Sequence, residues 1–197
     1  MIVDVVRAMD RATHTTTKIV VRPFARSLQD AARGAADFHV PLIQDESVPP
    51  PRGLAYVMDA DFGQVHFVIY SRKTQVFDAR NLGTAKGVET EPGHDVFFVF
   101  PVQFTHCVPC SLDKVLNGRA DALVVASDIV DPLLRDPKYQ GIHRALFKSY
   151  PVRALVPAGA DSKATREYLV QGAALLKKSG EMWSITHHNQ PYTDWQP

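Results

Sequence analysis

Four side chains in this sequence could do chemistry together. His66 lies in VHFVIY, Asp78 in QVFDA, and Cys107 and Cys110 in QFTHCVPCSLDKVLNG. Side chains alternate along a strand, so Val65, Phe67 and Ile69 would point one way and His66, Val68 and Tyr70 the other. If Phe77 shares the buried face with Phe67 and Ile69, the loop of a hairpin over residues 63–80 holds an odd number of residues, and Asp78 falls on the face of His66. A carboxylate there accepts a hydrogen bond from one ring nitrogen and leaves the other to take a proton from a nucleophile. The cysteines supply that nucleophile. A strand ending near Phe104 delivers both to the start of a helix, where partial positive charge favours thiolate. The expected chemistry is thiol catalysis. Cys107 attacks an ester, thioester or amide carbonyl, His66 takes and returns the proton, Asp78 orients His66, and amides at the helix start hold the oxyanion. Cys110 is the second candidate nucleophile, because Pro109 suits the first helical position and sets Cys110 in the first turn. This chemistry requires no metal and no organic cofactor.

The elements that must position these groups are short. LAYVMD, VHFVIY, QVFDA and DVFFVFPV read as strands separated by turn and glycine-containing segments, which predicts an antiparallel β-meander in an α+β fold. SLDKVLNG reads as a helix from an N-cap at Ser111 to a C-cap at Gly118. DALVVASDIVDPLL and GIHRALFKSY also read as helical, and VRALVP as a further strand. At the N-terminus TKIVVR has the β-branched content of a strand and FARSLQDAARGAAD the content of a helix. QDESVPPPRG, residues 44–53, carries three consecutive prolines and marks a boundary. Residues 1–45 are expected to form a strand-helix extension and residues 46–197 the main domain. Within the latter, SKATREYLVQGAALLKKSG predicts an amphipathic helix with Lys177 and Lys178 near its C-terminal end. HHNQPYTDWQP reads as irregular.

Residues 51–70, PRGLAYVMDADFGQVHFVIY, together with His106-Cys107 ahead of a helix ending at Gly118, resemble the lecithin:retinol acyltransferase-like family. That family has a permuted papain-like fold and includes the H-box/NC 2A-type proteins of some picornaviruses. In this resemblance His66-Phe67 stands as the H-box. Asp78 occupies the place of a second histidine, and His106-Cys107 the place of an Asn-Cys pair. It covers residues 50–120 and implies a cysteine-dependent acyltransferase or hydrolase acting on an acyl-bearing small molecule or lipid. Through its viral members it also implies a second class of function, an inactive module that binds host proteins.

Composition bounds both readings. The 197 residues are 45% hydrophobic, enough for a buried core, and 22 Lys and Arg against 21 Asp and Glu leave no basic footprint for duplex nucleic acid. No run of eighteen apolar residues offers a transmembrane segment, and Asp4 and Asp10 interrupt the apolar stretch a signal peptide needs, so a cytoplasmic protein is expected, in the host cell if the chain is viral. Two cysteines two residues apart suit redox, metal or catalytic work in a reducing compartment. With His106 and either His187 or His188 they could instead hold zinc in an interaction domain. His94-Asp95 could form an acid-base or metal pair, or simply a Pro-Gly-His-Asp turn. His14-Thr15-Thr16 resembles half of a two-histidine phosphoesterase signature, with no second half.

Overall fold

A computed structural model describes residues 1–159, 162–186 and 192–197. The chain divides into two compact units: Met1–Gln64 with Pro151–Gln190, and Val65–Tyr150 with Pro191–Pro197. The N-terminal 45 residues therefore share a unit with the C-terminal helices.

The first unit begins with α1 (Ile2–Thr13), whose buried side is Val5, Val6, Ala8 and Met9. It closes at His14, which takes the left-handed conformation at φ 54° and so serves as a helix cap. The next segment, TKIVVR, expected as a strand, joins no sheet. Its anchor is Asp10, whose carboxylate accepts hydrogen bonds from the Thr17 amide (2.9 Å), the Thr17 hydroxyl (2.7 Å) and the Tyr168 hydroxyl (2.8 Å). Burial first, with the charge of Asp10 adding to it, pushes the Tyr168 phenol up to about 12. There follow α2 (Phe24–Ala32), β1 (His39–Ile43) and β2 (Leu54–Tyr56). Both strands pair antiparallel with the last part of β7 (Ile142–Pro157), with His39 opposite Leu155 and Leu54 opposite Pro157. The proline-rich segment 44–53 joins β1 to β2 inside this unit.

Two helices complete the unit, α5 (Lys163–Ser179) and α6 (Glu181–Thr186). The first ends at Gly180 in the left-handed conformation, with Lys177 and Lys178 in its last turn. It buries Leu169, Gly172, Ala173 and Leu176. Gly172 is what lets α1 come close: a Cβ there would stand 2.8 Å from Met9 Cε and 3.0 Å from its Cβ. Enlarging a filled contact of this kind typically costs about 1–3 kcal/mol. Gly172→Leu is therefore expected to lower the urea midpoint at unchanged slope, a loss checked by equilibrium unfolding.

The second unit is built on β3 (Gln64–Arg72), β4 (Val88–Thr90), β5 (Gln103–Phe104), β6 (Ala122–Ala126) and the Ile142–Tyr150 half of β7, in the order β7-β3-β6-β4-β5. β3 runs antiparallel to β6, while β4 is parallel to both β6 and β5. This mixed sheet replaces the expected antiparallel meander. QVFDA forms no strand, and DVFFVFPV contains a 3₁₀ turn over Asp95–Phe97. Two segments expected as helices are strands. Ala122–Ala126 is buried at all five positions, the continuous apolar run of a strand covered on both faces. In IHRALFKSY an arginine at an inward position hides the alternation. Arg144 is 1% exposed, donates to both oxygens of Asp131 (2.8 and 2.7 Å), and also donates to the carbonyls of Thr193 and Trp195. This arginine holds the C-terminal residues onto the unit.

α3 (Val108–Leu116) buries Leu112 and Val115 in a core with Val68, Tyr70, Leu123 and Val125. α4 (Ser127–Val130) is a single turn. Among the described residues no helix is long and apolar enough to cross a membrane.

Candidate functional site

The parallel pairings of the second unit put the carboxyl ends of β4, β5 and β6 at one edge, because Thr90 lies opposite Phe104 and Glu89 opposite Leu123. In open α/β sheets this edge is where ligands bind. The residues delivered there are Thr90-Glu91, Thr105-His106 and Ser127-Asp128, with the start of α3 beside them.

Hydrogen bonds fix this edge. The Thr90 hydroxyl donates to the Val124 carbonyl (2.7 Å), and the Thr105 amide donates to the Thr90 carbonyl (2.9 Å). Glu89, 4% exposed, accepts from the Ser111 hydroxyl and from Lys114 Nζ (2.7 Å), which ties α3 to β4. Ser111 Oγ lies 2.7 Å from Thr105 Oγ1, and the Cys107 amide donates to that same oxygen (3.1 Å). The charge of Glu89 is thus matched within the fold.

Glu91 is different. Burial first, and then the negative charge of Asp128, pushes its carboxyl above the ordinary value. Three residues on, the His94 ring packs edge-on against Phe67 with centroids 4.8 Å apart. Phe67 lies opposite Ala126, the last residue of β6, which places this ring beside the same strand end. Phe97 and Tyr150 close around Phe67 at 5.7 and 5.3 Å. Burial lowers the basicity of His94, with Asp95 opposing, and its buried Nδ1 has no hydrogen-bond partner. Two carboxylates that repel one another at neighbouring strand ends favour a cation, which relieves the repulsion.

The residues singled out in the sequence do not converge. His66 Nδ1 lies 2.7 Å from Ser149 Oγ, and its ring is 6.2 Å from that of Tyr192. Asp78 caps its own turn, accepting from the Arg80 and Asn81 amides and from the Arg80 side chain. The Arg80 guanidinium holds the Asp78 carboxyl below its ordinary value. The odd-length hairpin that would bring Asp78 to His66 does not form, because after Arg72 the chain makes one isolated bridge to Gln75 and turns away. Cys107 and Cys110 are joined in a disulfide, so neither thiol is present to attack. As for zinc, among the described residues no group of three or more potential ligands could hold a metal ion. His187 and His188 lie outside the described residues.

Glu91 and Asp128 carry no motif, and Phe67 had a sequence signal only as the neighbour of His66. The signal of the two carboxylates is topological, since their closeness follows only when β4 and β6 are known to be parallel. His94 had a sequence signal, but it was attached to Asp95 rather than to Phe67.

No family model matches the chain, and no curated protein matches it. Solved structures do. The GluR0 ligand-binding core in complex with L-glutamate superposes with TM-score 0.72 at 11% identity, covering 94% of this chain and 86% of that one. A histidine kinase sensor domain with similarity to periplasmic binding proteins gives 0.69 at 17% identity, over 94% and 83% of the two chains. The amino acid ABC transporter substrate-binding protein AbpA from Streptococcus pneumoniae Canada MDR_19A, bound to L-arginine, gives 0.66 at 12% identity, over 94% and 81%. The fold is therefore periplasmic-binding-protein-like.

This likeness spans nearly the whole chain and overturns the resemblance to lecithin:retinol acyltransferase-like proteins, which rested on residues 50–120. The permuted papain-like fold is replaced by the two-unit mixed architecture. With it fall the thiol acyltransferase or hydrolase, the viral host-interaction module, the zinc-stabilised interaction domain and the acyl-bearing or lipid partner. A strand histidine followed by an apolar run is a local pattern, and two unrelated folds can carry it.

Proposed function

We propose that the chain binds, without chemical conversion, a small ligand bearing an ammonium group, of the amino-acid class. The observation that carries this reading is that Glu91 and Asp128, just past the carboxyl ends of β4 and β6, repel one another, with Glu91 three residues before His94, which packs against Phe67. The amine of the ligand lies against the two carboxylates. The buried His94 Nδ1 supplies a hydrogen bond that the fold itself leaves unused. Support comes also from the neighbours of the same fold whose structures hold L-glutamate or L-arginine.

The test is a thermal-shift series followed by calorimetry, with L-glutamate, L-arginine, L-lysine and γ-aminobutyrate set against glutarate, which lacks the amine. A ligand at a hundred times its dissociation constant stabilises by about 2.7 kcal/mol, which in a chain of this size raises Tm by about 5–10 °C. At least one amine is expected to do so and glutarate is not. A full amino-acid panel with no shift and no heat would overturn the reading.

A further inference from the structure

The Cys107–Cys110 disulfide takes no part in the binding reading, and its surroundings differ from those of a structural staple. Both cysteines are exposed. The ring they close is too short to constrain the unfolded chain much, because that effect grows with loop length. Nor does α3 depend on it for its place. Leu112 and Val115 are fully buried, and Lys114 holds Glu89 across to β4 at 2.7 Å.

Cys107 is the N-cap of this nine-residue helix, and its Sγ accepts the Cys110 amide at 3.3 Å. That contact survives scission of the disulfide, since it needs only the helical backbone and Cys107. A thiolate on Cys107 would then sit against an N–H donor and the positive end of the helix, both of which favour the charged form. The buried end of the same turn is independently held. The Thr105 hydroxyl bonds the Cys107 amide at 3.1 Å, and the Ser111 amide donates to the Cys107 carbonyl at 3.1 Å.

From these observations we infer that Cys107–Cys110 is a reversible exchange site for an external dithiol. The thiolate of that dithiol attacks Cys110 Sγ, the Cys107–Cys110 bond breaks, and the electron pair leaves on Cys107 as its stabilised thiolate. The best-stabilised thiolate is the faster leaving group. The second thiol of the external molecule then attacks the mixed disulfide and releases Cys110. The external dithiol is oxidised to a disulfide, and the protein gains two electrons and the two protons the dithiol gave up. In the reverse direction the Cys110 thiolate attacks the external disulfide, and Cys107 then attacks Cys110 Sγ and releases the external dithiol. The partner is a dithiol or disulfide, small or carried on a protein.

The experiment uses the full chain and two readouts. First, the native protein is treated with millimolar dithiothreitol, quenched with N-ethylmaleimide and weighed. Both cysteines are expected to be alkylated within minutes while the circular dichroism spectrum is unchanged, and in an unalkylated sample, replacing the reductant with excess glutathione disulfide is expected to restore the bond. Alkylation that appears only with denaturant present overturns the proposal. Second, in Cys110→Ser the rate of Cys107 alkylation is followed against pH. Its midpoint is expected below the ordinary cysteine value of about 8.5, whereas that of Cys110 in Cys107→Ser is not. A Cys107 midpoint at or above the ordinary value also overturns it. The first readout needs no substitution, so a misfolded variant leaves the proposal open to refutation.

Discussion

Replacing Arg144 with alanine should cost about 3–5 kcal/mol, the loss that follows when one partner of a buried ion pair is removed. For a chain of this length that corresponds to a fall in Tm of about 10 °C. The guanidinium is 1% exposed and serves three structures at once. It binds both oxygens of Asp131, whose Oδ1 also accepts the Tyr70 hydroxyl at 2.8 Å. It donates to the Trp195 carbonyl at 2.7 Å and lies 4.3 Å from the Trp195 ring centroid. Gln196 in turn bonds the Arg144 backbone on both sides, at 2.9 and 2.8 Å. Alanine leaves Asp131 with a charge and no cation, and strips the C-terminal residues of their anchor. Lysine should rescue little, because an ammonium cannot reproduce the planar fork that meets Asp131 and two carbonyls together. Thermal unfolding measures the first effect. The second is read from Trp195 emission in a Trp183→Phe background, expected to move to the red. A Tm within about 2 °C of the parent, less than 1 kcal/mol by the same scaling, would mean that the pair is not what holds this unit closed.

Arg144 also marks where sequence reasoning stops. The segment around it alternates as a strand should, yet the arginine occupies an inward position, so the pattern reads as a helix with one polar side. Helices and strands whose signal is local were legible. Residues 162–180 read as a helix and form one over Lys163–Ser179, and VHFVIY lies within β3. The cysteines stand at a helix start, as the strand end expected near Phe104 implied, with Cys107 rather than Ser111 as the cap. What sequence does not carry is pairing across long separations. The chain leaves the first unit after Gln64 and returns at Pro151, so the neighbour of His66 is Ser149, eighty-three positions away, and not the nearby Asp78. The same holds at the candidate site. Glu91 follows one parallel strand and Asp128 another, and no local period links them.

That pair leads to the second large effect. Glu91→Gln should weaken binding of an ammonium ligand by about 10–100-fold, the worth of one hydrogen bond to a charged group at about 1.5–3 kcal/mol. Loss of affinity alone would not separate a ligand contact from a damaged fold, but the electrostatics of the site do. A carboxyl whose folded-state pKa is raised favours the native state fully at low pH, and that contribution is lost as pH rises through the raised value. At neutral pH the ionised Glu91 is therefore a burden to the ligand-free protein. The neutral amide removes both the burial of a charge and the repulsion from Asp128. Ligand-free Glu91→Gln should accordingly be at least as stable as the parent at pH 7, and its stability should depend less on pH above the ordinary glutamate range. Binding runs the other way. An ammonium ligand needs the ionised carboxylate, so parental affinity should fall on acidification, beginning above the ordinary glutamate value, while the weak affinity of the variant should stay flat across that window. Calorimetric titrations and thermal unfolding at matched pH decide it. A variant that loses stability together with affinity, or a parental affinity indifferent to acidification, would place Glu91 in the fold and not against the ligand.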